Sequence, residues 1–180
     1  MRQKAGPAIR RKTPVSSAMK PEAVLQEAQR RLQQTGAAAC VAYLKKIYPA
    51  LHTIPEAQQD VMLTLARRVQ ARFPQAALDM LDLAALVPAR RDAVLTFRAK
   101  VLDVLGRQDE AKAAVAAVVH DPSAHAEQRL QAATLLIRYE DDPAALDVAR
   151  DAFDQLGRPL ARVSALLYIA LKAADWPLVA

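Results

Sequence analysis

Asparagine is absent from this 180-residue chain, glycine occurs four times, cysteine once, and aromatic residues make up only 4%. Each shortage removes a class of function. Gly6, Gly36, Gly106 and Gly157 stand alone, so they cannot form the clustered turn whose backbone N–H groups cradle a nucleotide phosphate. The lone thiol, Cys40, has no internal disulfide partner, which fits reducing, cytoplasmic surroundings; with no partner histidine nearby it reads as a buried packing group. No apolar run approaches the roughly 18 residues that a membrane span needs. With 53% apolar residues and so few aromatics, the composition is that of an Ala/Leu-rich helical protein rather than a sheet.

Acidic residues are missing from positions 1–20, which hold Arg2, Lys4, Arg10, Arg11, Lys12 and Lys20. These six bases account for the whole net charge of +6, and the rest of the chain is neutral. The segment is too poor in large apolar residues to fold alone, and it reads as a disordered basic arm. Pro7 and Pro14 interrupt the amphipathic helix of an organelle transit peptide, and no apolar stretch follows as in a secretory signal. An arm of this charge suits nucleic acid or an anionic membrane surface. It has no aromatic residue on which bases would stack.

Proline and glycine divide 21–180 into helices of about a dozen residues. The spacing predicts helices over 21–35, 37–48, 55–73, 74–87, 89–105, 108–120, 124–139, 143–156 and 159–174. Pro21, Pro74, Pro143 and Pro159 suit first helical turns, where a missing N–H costs nothing. Gly106 suits a helix end, Asp109 and Glu110 suit a positive helix start, and Ser123 is placed to cap the helix that follows it. Paired, these segments give hairpins at 21–48, 55–87, 89–120, 124–156 and an incomplete 159–180. Ala77, Ala111 and Ala145 recur every 34 residues, and Ala180 follows 35 later. A fixed period of this length is the signature of a helical repeat.

The stretch Val104-Leu105-Gly106-Arg107-Gln108-Asp109-Glu110-Ala111, followed by Val115, Val118 and Asp121-Pro122, resembles the turn and second helix of a tetratricopeptide repeat. Ala99 and Ala133, each twelve residues before the periodic alanine, match that family's other small packing position. The resemblance covers about 55–180, and more loosely 21–54, where Cys40 or Val41 replaces the alanine. Units end one residue early at Pro88 and Pro122, and the usual aromatic early in the first helix is missing, so a related helical-hairpin solenoid fits as well. The expected fold is an all-α, right-handed superhelix of antiparallel hairpins.

That resemblance implies a concave groove lined by first helices. Counting back from the periodic alanines places Gln59, Met62, Thr96, Lys100, Asp103, Glu127, Leu130, Thr134, Arg138 and Arg162 there. Bases would grip carboxylates of a bound peptide, with Met62 and Leu130 taking apolar side chains. The absence of asparagine rules out the Lys/Asn clamp of chaperone-binding members and the asparagine ladders of sugar-nucleotide transferases carrying this repeat. The implied function is a non-enzymatic scaffold for a protein segment, such as a bacterial assembly or secretion factor, with no cofactor. Two alternatives stand beside it: the repeat module of a larger enzyme, such as a polysaccharide-building glycosyltransferase, and a binding role for the basic arm.

Metal and acid/base chemistry have weaker support. His120 and His125 are five apart across a proline turn near Asp121 and Glu127, a poor match to the spacing of metal ligands on one face, and His52 lies apart. Asp79 with Asp82, and Asp147 with Asp151 and Asp154, fall on second helices and read as solvated faces. Helix 159–174 is apolar around much of its circumference, and Leu167, Leu171 and Trp176 form a surface for a second copy or for continuing chain.

Overall fold

The computed structural model describes residues 20–48, 56–139 and 143–158, together with 163, 164 and 167. Its helices are α1 (Pro21–Thr35), α2 (Ala37–Ile47), α3 (Glu56–Val69), α4 (Pro74–Ala84), α5 (Arg91–Val104), α6 (Gln108–Val119), α7 (Ala126–Tyr139) and α8 (Pro143–Gln155). No strand occurs among the described residues. The basic arm, His52 and most of the predicted ninth helix lie outside them.

Local chemistry explains where these helices begin and end. Proline occupies the first turn of α1 and of α4, and Asp109 and Glu110 occupy that of α6, against the positive end of the helix dipole. Gly106 adopts φ +72°, a conformation that glycine reaches without steric cost. There its N–H bonds the Asp103 carbonyl at 3.0 Å, while Arg107 N–H reaches back to Leu102 at 2.9 Å. Together these bonds satisfy the last carbonyls of α5.

Consecutive helices pack in pairs, α1 with α2, α3 with α4, α5 with α6 and α7 with α8. Further contacts of α4 with α5 and of α6 with α7 join the pairs, and α1 meets α3, α2 meets α4 and α5 meets α7. The principal contacts thus join helices one or two places apart in the chain, a nearest-neighbour pattern compatible with a helical repeat. One continuous core runs through them, with Leu44, Leu65, Leu81, Leu102 and Leu136 all buried. Each such side chain contributes roughly 1.5–3 kcal/mol relative to exposure.

The 34-residue period coincides with close packing. Ala77, Ala111 and Ala145 are each 0% exposed, as are Ala99 and Ala133. Ala180 lies outside the described residues. An ion pair repeats the same interval, Lys45 on α2 meeting Asp79 on α4 at 3.2 Å across 34 residues. Ala111→Leu is expected to overpack the α5/α6 contact and lower unfolding free energy by about 1–3 kcal/mol in urea denaturation. An unchanged midpoint would show that the alanine is not needed for close approach.

Candidate functional site

α7 brings Glu127, Gln131, Thr134 and Arg138 onto one stripe, because steps of four, three and four residues return to the same helix face. α5 lies beside it with Lys100 and Asp103 three residues apart. Across the junction, Lys100 Nζ donates to Gln131 Oε1 at 3.1 Å, and Gln131 Nε2 donates to Glu127 Oε1 at 2.9 Å. Lys100 and Arg138 are exposed, whereas Asp103, Glu127, Gln131 and Thr134 are half-buried. The Thr134 hydroxyl donates to the Leu130 carbonyl at 2.8 Å. Burial, and then the neighbouring Asp103 carboxylate, raise the Tyr139 phenol above its ordinary pKa, so it stays protonated at neutral pH.

Five of the ten expected groove residues, Lys100, Asp103, Glu127, Thr134 and Arg138, therefore lie on the two helices of this junction, with Gln131 added; four others cannot serve as a ligand surface. Gln59 and Met62 are 0% exposed, and Thr96 and Leu130 are 1% exposed. The error is one of register. Met62, Thr96 and Leu130 stand 34 residues apart and occupy the same buried position in three successive first helices, where they face core rather than solvent. Thr96 turns its hydroxyl to the Asp92 carbonyl at 2.8 Å. Gln59 reaches the end of α4, donating from Nε2 to the carbonyls of Ala84 at 3.1 Å and Val87 at 3.3 Å. It joins α3 to α4 instead of meeting a peptide. Arg162, Leu171 and Trp176 lie outside the described residues, and Leu167 is 36% exposed. Gln131 was missed, although its position four residues after Glu127 and three before Thr134 is the signal that finds it.

The loop before α7 is built for attachment. Asp92, near the start of α5, has a side chain only 9% exposed, and its Oδ2 accepts from the His125 backbone N–H at 2.8 Å. The His125 ring Nδ1 lies 2.9 Å from the same oxygen. Burial alone would raise the Asp92 pKa, but the bonds from His125 and Ala93 prevail and hold it below the ordinary value. Ser123 does not fill the capping role its position suggested; its N–H and hydroxyl donate to Asp121 Oδ1 at 2.9 and 2.6 Å. The start of α7 is instead held by a side chain 33 residues away.

Other side chains with chemical potential are engaged in structure. Among the described residues no three His, Cys, Asp or Glu side chains gather as metal ligands. Asp79, Asp82, Asp147, Asp151 and Asp154 face Lys45, Arg98, Arg150, Arg129 and Arg158 respectively. Cys40 is buried, and burial pushes its thiol up to about 11, leaving little reactive thiolate at neutral pH. Glu27 is held down at about 2 by the hydrogen-bonded guanidinium groups of Arg30 and Arg31.

Two open grooves lie among the described helices. One of about 560 Å³ lies between α2 and α4, with Ala38, Val41 and Ala42 facing Phe73 and Ala76, and with Leu105 also against it. The other, about 240 Å³, lies between α1 and α3. No protein-family model, curated protein or solved structure matches this chain, so the functional reading rests on its own residues.

Removing the α7 anchor gives a direct test. Asp92→Ala is expected to cost about 1–2 kcal/mol at neutral pH, the usual range for a lost helix cap. A carboxylate with a depressed folded-state pKa stabilises above its unfolded value of roughly 3.9, and the contribution is lost as pH falls through the folded value. The gap between wild type and Asp92→Ala should therefore narrow as pH is lowered below about 4. Denaturant titrations at neutral and acid pH measure it, and a constant gap would remove the charge from the explanation.

Proposed function

We propose that this chain is a non-enzymatic scaffold which holds a protein segment along the face where α5 and α7 meet. The observation behind the reading is the polar line Lys100, Gln131 and Glu127, which crosses from one first helix to the next with Asp103, Thr134 and Arg138 on the same two helices. The bases suit carboxylates of the bound segment and the acids suit its bases, so the ligand is a segment of mixed charge. Hairpin stacking as a right-handed superhelix, in the manner of the tetratricopeptide repeats that Val104–Ala111 resembles, would make this face concave. A half-buried, internally hydrogen-bonded line changes little on binding, which limits the entropy lost by the site.

A peptide selected from a displayed library against the full chain supplies the probe. Arg138→Glu is expected to weaken an acidic peptide by about 1.5–3 kcal/mol, the range for a hydrogen bond to a charged group, with the helical circular dichroism unchanged. Calorimetry measures the affinity. If neither Arg138→Glu nor Lys100→Glu changes it, the binding surface lies elsewhere.

The scaffold reading includes a covered apolar surface around Leu167, which is 36% exposed in a strongly apolar stretch of sequence. Sedimentation of the 180-residue chain should detect self-association that Leu167→Glu reduces. A wild-type monomer at high concentration would eliminate this surface as a contact between copies.

A further inference from the structure

Most guanidinium groups of the described helices meet a carboxylate, and the last turn of α3 departs from that pattern. Arg67 and Arg68 lie in this turn, both are exposed, and neither makes an ion pair among the described residues. A base here compensates the negative end of the helix dipole, so its charge alone identifies nothing. Its surroundings identify more. The Arg67 guanidinium lies 6.0 Å from the centroid of the half-buried Phe97 ring, the outer reach of a cation–π contact. A ring steadies a guanidinium without cancelling its charge or taking up its N–H groups, whereas a carboxylate does both. Arg98, the residue after Phe97, shows the second case, bonded to Asp82 at 2.8 Å.

Phe97 also begins an outward stripe on α5. Lys100 follows three residues on and Val104 four further, so the three share one side of the helix, and Val104 is 72% exposed. On α7, Gln131, Thr134 and Arg138 stand 34 residues after Phe97, Lys100 and Val104 respectively, and all six are exposed or half-buried. A single apolar residue on a surface is ordinary, but Val104 shares its stripe with an aromatic ring and a base. We propose that the segment bound across α5 and α7 continues over Phe97 towards α3, seating a side-chain carboxylate on Arg67 and an apolar side chain beside Val104; this rests on the α5/α7 face being the binding surface. A segment crossing α5 at Lys100 has Phe97 and Arg67 on one flank and Val104 on the other, because seven residues of helix rise about 10 Å. Successive side chains of an extended chain point to opposite sides. The partner is therefore a peptide with an acidic residue next to an apolar one. Single-stranded nucleic acid fits less well: residues 21–180 carry as many acids as bases, and the Phe97 ring is overlain by Arg67 rather than open to a base.

Panning a displayed library of random linear peptides on the full chain, with calorimetry on a selected peptide, tests this. Selected sequences should share an Asp or Glu adjacent to an apolar residue. Arg67→Gln should weaken the selected peptide about tenfold or more, and the loss should vanish against the same peptide with its acidic residue changed to the amide. A merely structural role for Arg67 would not produce that coupling. Val104→Gln should weaken the unaltered peptide severalfold, and both variants should keep the helical circular dichroism, since both positions are exposed. Lys100→Glu and Arg138→Glu probe the underlying face separately. Should they weaken the peptide while Arg67→Gln does not, the α5/α7 face stands and its continuation towards α3 is overturned. Should Arg67→Gln act while neither of them does, or should no variant act, both are overturned. Selected peptides without a shared acid, together with Arg67-dependent binding of oligothymidylate, would overturn the peptide in favour of nucleic acid.

Discussion

Close approach of paired helices at alanine is the constraint on which the rest of this structure depends. Ala77, Ala111 and Ala145 are fully buried and sit one per hairpin, each on the second helix of its pair. With only a methyl group at the contact, the helix axes can come near enough for the leucines on either side to interlock, and Ala99 and Ala133 do the same from the first helices. Core packing at crystal-like density leaves little tolerance at such points. On the surface, Lys45 and Asp79 pair across the same 34-residue interval.

Helix boundaries were largely legible in the sequence because their causes are local. Pro21, Pro74 and Pro143 can occupy only a few helical positions, and Gly106 supplies a backbone conformation that its neighbours would adopt only with strain. The observed starts and ends of α1 to α8 fall within two residues of the predicted ones, apart from the end of α3, at Val69 rather than 73, and that of α4, at Ala84 rather than 87. Ser123 misled for the complementary reason. A serine before a helix suggests a cap, but whether it acts as one depends on competitors, and Asp121 two residues earlier takes both its donors. The group that does anchor α7, Asp92, belongs to a different hairpin. No local pattern announces such a bond.

The surface was harder to read than the core, and the four buried groove candidates explain why. A helix has faces about 100° apart per residue, and a single step of register exchanges a ligand-facing position for one that faces the next hairpin. Counting in steps of 34 reaches Met62, Thr96 and Leu130, and all three are buried. The count itself does not decide whether they face core or solvent. Composition offered a hint at Met62 and Leu130, both apolar, but Thr96 and Gln59 disguised the register. Their donors are engaged internally: the Thr96 hydroxyl by its own helix backbone and the Gln59 amide nitrogen by the end of α4, while the Gln59 Oε1 is buried without a partner. Buried polar side chains that repair backbone ends look, in a sequence, the same as side chains awaiting a ligand.

Charge is the remaining determinant of what this surface can recognise. Across the body most acids are matched by a base on the same or a neighbouring helix: Asp82 with Arg98, Asp151 with Arg129, Asp154 with Arg158 and Glu110 with Arg107. Guanidinium groups also lie against aromatic rings, Arg31, which pairs with Glu27 as well, at 4.5 Å from the Tyr43 centroid and Arg67 at 6.0 Å from that of Phe97. Exposed pairs of this kind each contribute little to stability, but they cancel the long-range field that would attract any charged molecule. Selectivity must then come from fixed positions rather than from net attraction. Lys100 and Glu127, tied together through Gln131 across α5 and α7, are the fixed positions on which the proposed binding face relies.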